Sequence, residues 1–238
     1  MGTHLYLEHD GKVLLVNMDG EGPQQAIMGR VGDISLRLPS VDEVAQMGIS
    51  WTERRTNRFS LGDTNHEVIY ALPEIEWPEN WTWKDQLISD NCVNPIAREA
   101  VYRSMHRVVS KVILVNPDGH VAMAKVKRGF FTGHWTLPGG FVDYAEHPQE
   151  GAVREVLEEL GVEVTLTENP LNISERIFTS EGIQFLSFTY CCQVPSDVTF
   201  NPKADEIEEA RFFTLEEALS RAASLFDVEA LRMLEESA

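Results

Sequence analysis

The chain has 238 residues with 20 Lys and Arg against 38 Asp and Glu, a formal charge of −18, and is 43% hydrophobic and 24% charged. Its 16 Gly, 11 Pro and 3 Cys exclude collagen, low-complexity disorder and a disulfide scaffold, and no apolar run reaches the roughly 20 residues of a membrane helix. The acidity opposes binding to the phosphate backbone of nucleic acid, although a cation or a local basic patch reverses the field at a site.

Residues 1–10 lack the basic start and long apolar stretch of a signal peptide, and Cys92, Cys191 and Cys192 form no C-x-x-C pair. The reading is a reduced, cytoplasmic protein with no membrane and no nucleic-acid partner.

At roughly 150 residues per domain the length allows one large domain or two modest ones. Residues 5–7 and 12–17 flank His9-Asp10-Gly11 and predict a β-hairpin, because Asp-Gly supplies the positive φ angles of a tight turn. A short helix is predicted over 41–47 and a strand over 66–72. The segment PEIEWPENWTW (73–83) fits neither period; its Trp77, Trp81 and Trp83 form a stacking surface or seal a domain or dimer interface. Helical spacing over 85–105, broken at Asn94-Pro95, is the predicted connection between an α+β N-terminal domain (1–100) and a C-terminal domain (101–238).

A second hairpin, over 108–116 and 120–125, turns at Pro117-Asp118-Gly119. Then follow a Gly-rich turn at 137–140, a helix at 148–160 closed by Gly161, and strands at 162–166, 174–178, 184–194 and 210–213. Helices at 215–223 and 228–236 complete an α/β arrangement with helices on a mixed sheet.

The chemistry concentrates in residues 140–162, GFVDYAEHPQEGAVREVLEELGV. Glu155, Glu158 and Glu159 stand at i, i+3 and i+4, so a helix places all three on one face. Their mutual repulsion is unhelpful in a purely structural helix and is reversed by a hard divalent cation such as Mg²⁺ or Mn²⁺. Arg154 is the one base against seven acids between positions 143 and 163, placed to brace Glu155 or Glu158.

Gly140, Glu146, then Arg154-Glu155-Val156-x-Glu158-Glu159-x-Gly161-Val162 resembles the Nudix box at all nine of its defining positions over 23 residues. The resemblance covers about residues 105–236. It implies an α/β/α Nudix sandwich and cleavage, by water, of a nucleoside diphosphate linked to another moiety X. It further implies Glu155, Glu158, Glu159 and the Gly140 carbonyl as ligands of Mg²⁺ or Mn²⁺, Arg154 as the group orienting Glu155, and Glu146 as an accessory acid. Glu206 is the loop carboxylate in the place of a base, with Asp205, Glu208 or a helix glutamate as alternatives.

Upstream, Arg103, Arg107, Lys111, Lys125, Lys127 and Arg128 against the single acid Asp118 form a basic patch able to draw an anionic substrate. Arg107, Arg128, Phe131 and Trp135 are the substrate-binding candidates. No four-cysteine zinc ribbon is present, the tyrosine of diadenosine polyphosphate hydrolases is replaced by Phe178 or Thr179, and the proline of ADP-ribose pyrophosphatases is missing. Elimination leaves ADP-ribose or a related nucleotide sugar or dinucleotide. The rival is a nucleotide-sugar sensor that binds without cleaving, but such modules imply eroded carboxylates and a basic partner domain. By analogy with other Nudix enzymes, the N-terminal domain implies a homodimer.

Overall fold

Alternating side chains decide which face of each strand is buried, and in the computed structural model, which describes residues 2–178 and 182–237, they build two units. One comprises Met1–Met105 with Ile177–Gln184, the other His106–Arg176 with Phe185–Ala238. Thr179 lies outside the described residues.

The first unit contains β1 (Gly2–His9), β2 (Lys12–Val13), β3 (Val16–Asn17), β4 (Leu36–Arg37), α1 (Val41–Gln46), β5 (Trp51–Leu61), β6 (Thr64–Pro73), β7 (Thr82–Trp83), α2 (Lys84–Ser89) and α3 (Pro95–Ser104). Its main sheet runs β5-β6-β1-β2-β7, and β3 pairs with β4. The turn between β1 and β2 has Asp10 and Gly11 at φ 49° and 73°, as Asp-Gly grammar requires. On one face of β1, Tyr6 packs with Val68, Phe59 and the α3 residues Ala97, Ala100 and Val101. On the other, Leu5 and Leu7 pack with Val44, Ala71 and Trp81. Of the three clustered tryptophans only Trp81 is buried; Trp77 and Trp83 are half exposed, with the Lys12 ammonium 4.8 and 4.9 Å from their ring centres.

In α1, Ser40 and Glu43 form a capping box, and Arg37 grips Glu43 through two bonds of 2.8 and 2.6 Å. The Arg37 guanidinium is the main reason the Glu43 carboxyl is held down to about 2. A depressed carboxyl stabilises the fold fully above its unfolded value and loses that contribution as pH falls through the folded one. Glu43→Gln is therefore expected to cost roughly 1–3 kcal/mol at neutral pH and to flatten the acid limb of stability between pH 4.5 and about 2, read by urea unfolding at stepped pH.

The second unit contains β8 (His106–Val115), β9 (Val121–Val126), β10 (Trp135–Thr136), β11 (Gly139–Phe141), α4 (Pro148–Leu160), β12 (Asn172–Phe178), β13 (Ile183–Gln193, its first two residues counted with the first unit), β14 (Ile207–Phe213), α5 (Leu215–Arg221) and α6 (Leu225–Ser237). The sheet runs β10-β9-β8-β13-β12, with β11 also on β8 and β14 on β9. Val112 and Leu114 of β8 face Ala152, Val156 and Leu160 of α4. Ile113 and Val115 face Ala218 of α5 and Ala230 and Leu231 of α6. Helices on both faces make the α/β/α sandwich.

Three predicted elements differ. The strand predicted over 12–17 is split into β2, which pairs with β1 and β7, and β3, which pairs with β4. Residues 162–166 form no ladder; Val162 and Leu166 are instead buried against the α4-side core, so their apolar alternation reports one-sided packing alone. The Gly-rich segment at 137–140 is partly strand, because β11 pairs with β8 with Gly139 opposite Lys111. Among the described residues no helix is long and apolar enough to cross a membrane.

Candidate active site

Helix α4 starts at His147, whose Nδ1 accepts the Gln149 amide, with Pro148 in the first turn, and it ends at Gly161 in the left-handed region, φ 66°. Ala152, Val156 and Leu160, four residues apart, are fully buried and anchor one stripe to the sheet. Leu157, beside that stripe, is exposed. Burial of the stripe sets the azimuth of the glutamates.

Opposite them runs β11. The Gly139 amide donates to Glu159 Oε2 at 3.0 Å. Gly139 has φ 146°, and a Cβ there would fall 2.2 Å from the Ser110 carbonyl oxygen, so only glycine fits. A Cβ on Gly140 would fall 2.5 Å from Glu155 Oε1. Gly140 thus lets the Glu155 carboxylate approach the strand directly, while Gly139 lets β11 lie close against β8 and turns its amide to Glu159.

Arg154 ties the cluster together. Its Nε and Nη2 donate to Glu146 at 2.8 and 3.0 Å, Nη1 to Glu155 at 2.8 Å and, at 3.5 Å, to Glu158, and Nη2 also to the Phe141 carbonyl at 2.9 Å. Glu146, held below the usual carboxylate range by this fork, also accepts the Asp143 amide at 2.8 Å and crosses the first turn of α4 at Gly151, where a Cβ would be 2.8 Å from its Oε2. Gly151 is a site requirement that sequence reasoning missed.

Burial pushes Glu155 above the ordinary range and Glu159 up to about 7. Glu206 adds to both rises, while Lys111 holds Glu159 down. Glu155 is 15% exposed and Glu158 46%.

Among the described residues no three carboxylates, imidazoles or thiols meet closely enough to grip a cation, since Glu155 and Glu158 are drawn toward Arg154 and Glu159 toward Gly139. The donor chemistry nevertheless fits a hard divalent ion: three carboxylates on one helix face beside the Gly140 backbone, two of them penalised by burial for being charged.

The remaining candidates fall around this cluster. Glu206 is engaged by Arg128 and, at 3.2 Å, by Lys203; Lys203 in turn donates its amide to the Glu159 carbonyl at 3.0 Å. Arg107 is partly buried near the start of β8, and Phe131 makes an edge contact with Phe130 at 5.0 Å. Trp135 packs edge-on against Phe213 at 4.8 Å, beside the core under α5 and α6.

The basic patch is differently disposed from its expectation. Arg103 pairs with Glu99, Lys125 with Glu208 and Arg128 with Asp205 and Glu206, Lys127 donates to the Ala204 carbonyl, and Lys111 is buried against Asp227. For Lys111, Lys125 and Arg128 the neutralising acids come from far along the chain.

The sequence pattern of the NUDIX domain family matches residues 105–234. The chain is 36% identical over 89 residues to the nucleoside triphosphatase NudI of Escherichia coli O17:K52:H18 (strain UMN026 / ExPEC), covering 33% of this chain and 63% of that protein. It is 31% identical over 118 residues to Nudix hydrolase 2 of Arabidopsis thaliana, covering 49% and 42%. The matches thus span less than two thirds of these relatives. Among solved structures, a MutT NUDIX hydrolase from Burkholderia pseudomallei is similar with a TM-score of 0.49 and 26% identity, over 55% of this chain and 98% of that one.

Proposed function

We propose for this chain, which belongs to the NUDIX domain family, hydrolysis of the diphosphate linkage in a nucleoside diphosphate joined to X, with Mg²⁺ or Mn²⁺ as cofactor. The observation that carries this reading is the trio Glu155, Glu158 and Glu159 on one face of α4, braced through Arg154 to Glu146 and set against the Gly139-Gly140 backbone.

Glu155, Glu158, Glu159 and the Gly140 carbonyl would hold a divalent ion, which would supply charge neutralisation for pyrophosphate oxygens and activation of water. Arg154 fixes the direction of Glu155, and Glu146 fixes Arg154. Because Arg128 and Lys203 already engage the Glu206 carboxylate, its oxygens are held away from a substrate water, and a glutamate of α4 is the better base. Glu206→Gln is accordingly expected to lower kcat by less than about tenfold, measured as a pH–rate profile; a larger loss with a missing acid limb would restore Glu206 as the base.

Arg107, Arg128 and Phe131 are the groups we assign to substrate contact, while Trp135 serves the adjoining core. For X we place ADP-ribose or a related nucleotide sugar or dinucleotide first. Nucleoside triphosphates form the second reading, favoured by the similarity to the nucleoside triphosphatase NudI. The first unit contributes dimer contacts or substrate contacts and no metal ligand, in a cytoplasmic protein.

The test is a panel of nucleotide sugars, dinucleotides and nucleoside triphosphates with Mg²⁺ and with Mn²⁺, products identified by mass, alongside light scattering for assembly. A nucleoside monophosphate and phosphorylated X are expected. Tight binding of a nucleotide sugar without cleavage of any panel member would instead establish a sensor.

A further inference from the structure

We propose that the buried Lys111–Asp227 ion pair is a positioning device that sets residues 137–140 against the carboxylates of α4, an inference that rests on the hydrolase reading above. Lys111 lies on β8 and Asp227 in the first turn of α6; Nζ and Oδ1 are 2.7 Å apart, with the side chains 9% and 0% exposed.

The pair grips one residue at both of its polar backbone groups. Asp227 Oδ2 accepts the Leu137 amide at 3.0 Å, and Lys111 Nζ donates to the Leu137 carbonyl at 3.4 Å. Next along the chain, the Pro138 carbonyl accepts the Val112 amide at 3.0 Å. Gly139 then sits opposite Lys111 in the β8–β11 ladder, so close that a Cβ would be 2.7 Å from the Lys111 Cα. The Gly139 amide holds Glu159, and Gly140 abuts Glu155. A displacement of the pair therefore reaches two carboxylates through three residues of backbone.

Stability alone is a poor account of the arrangement. Desolvating two charges consumes most of their attraction, and well-packed apolar replacements of buried pairs are often neutral or stabilising. Helix α6 also forgoes a local bond. Ser224 and Asp227 have the S-x-x-D spacing of a capping box, in which the acid returns to the amide of the capping serine. Asp227 instead turns to Leu137 and Lys111, and the buried Ser224 hydroxyl is left without a partner among the described residues. An apolar pair would fill this space but offer nothing to the Leu137 amide and carbonyl.

The test compares full-length wild type with Asp227→Asn, Lys111→Met and the double variant Lys111→Met/Asp227→Leu. Mn²⁺ affinity is measured by titration calorimetry without substrate, together with melting temperature, kcat and KM. The single variants are expected to weaken Mn²⁺ binding and kcat by about tenfold or more, with KM within about twofold of wild type. The double variant is expected to regain the melting temperature while Mn²⁺ affinity and kcat stay low, a split that a merely structural pair cannot produce. Wild-type Mn²⁺ affinity in the folded double variant overturns the proposal, and it does so even if both single variants fail to fold. Should the wild type bind Mn²⁺ but cleave nothing, the hydrolase reading falls, and the affinity comparison alone decides the role of the pair.

Discussion

Glu158→Gln is expected to lower turnover by about a hundredfold or more while shifting the melting temperature by no more than about 2 °C. Glu158 is the most exposed of the three helix glutamates at 46%, and the nearest donor to it is Arg154 at 3.5 Å, the outer limit of a hydrogen bond. Its replacement by an isosteric amide removes a ligand charge and almost no structure. Glu155 and Glu159 serve this purpose less well, because each is largely buried and bonded, to Arg154 and to the Gly139 amide respectively, so a loss there mixes folding with chemistry. Kinetics across a Mg²⁺ titration check the expectation. Near-wild-type rates at saturating Mg²⁺ would remove Glu158 from the ligand set.

The readability of that helix has a physical reason. Carboxylates at i, i+3 and i+4, an apolar stripe every four residues and a terminal glycine are all local signals, and α4 spans the predicted 148–160. Both Asp-Gly hairpins were legible for the same reason, since two residues determine each turn. Strand β5 was not, because it is an edge strand with mostly exposed side chains and shows no clean apolar alternation; Gly62-Asp63, its two-residue turn into β6, is the signal that would have revealed it. Lys111 was illegible in a deeper sense. In sequence it belongs to a run of bases, and only tertiary packing brings Asp227 of α6 to it. Glu146 was visible as part of the box, but its passage over Gly151 depends on the approach of a loop to a helix and has no periodicity to announce it.

The network around Arg154 leads to the second large effect. Arg154→Ala is expected to reduce turnover by about a hundredfold and also to destabilise the fold by roughly 1–3 kcal/mol, because the side chain bonds Glu146, Glu155 and the Phe141 carbonyl as well as bracing the helix. The stability cost follows from the structure; Arg154 lies outside the apolar core, but it fastens the segment carrying Phe141 and Glu146 to α4. Arg154→Lys separates the two effects. A lysine ammonium retains the positive charge that offsets three glutamates yet cannot reproduce the planar fork shared between Glu146 and Glu155. Stability is therefore expected to recover in large part with lysine, whereas kcat stays more than about tenfold below wild type because Glu155 is no longer aimed. Thermal melts and steady-state kinetics on the two variants measure this. Recovery of kcat in step with melting temperature would show that charge alone is needed at position 154, and the orientation of Glu155 would then have to come from its contact with the Gly140 backbone.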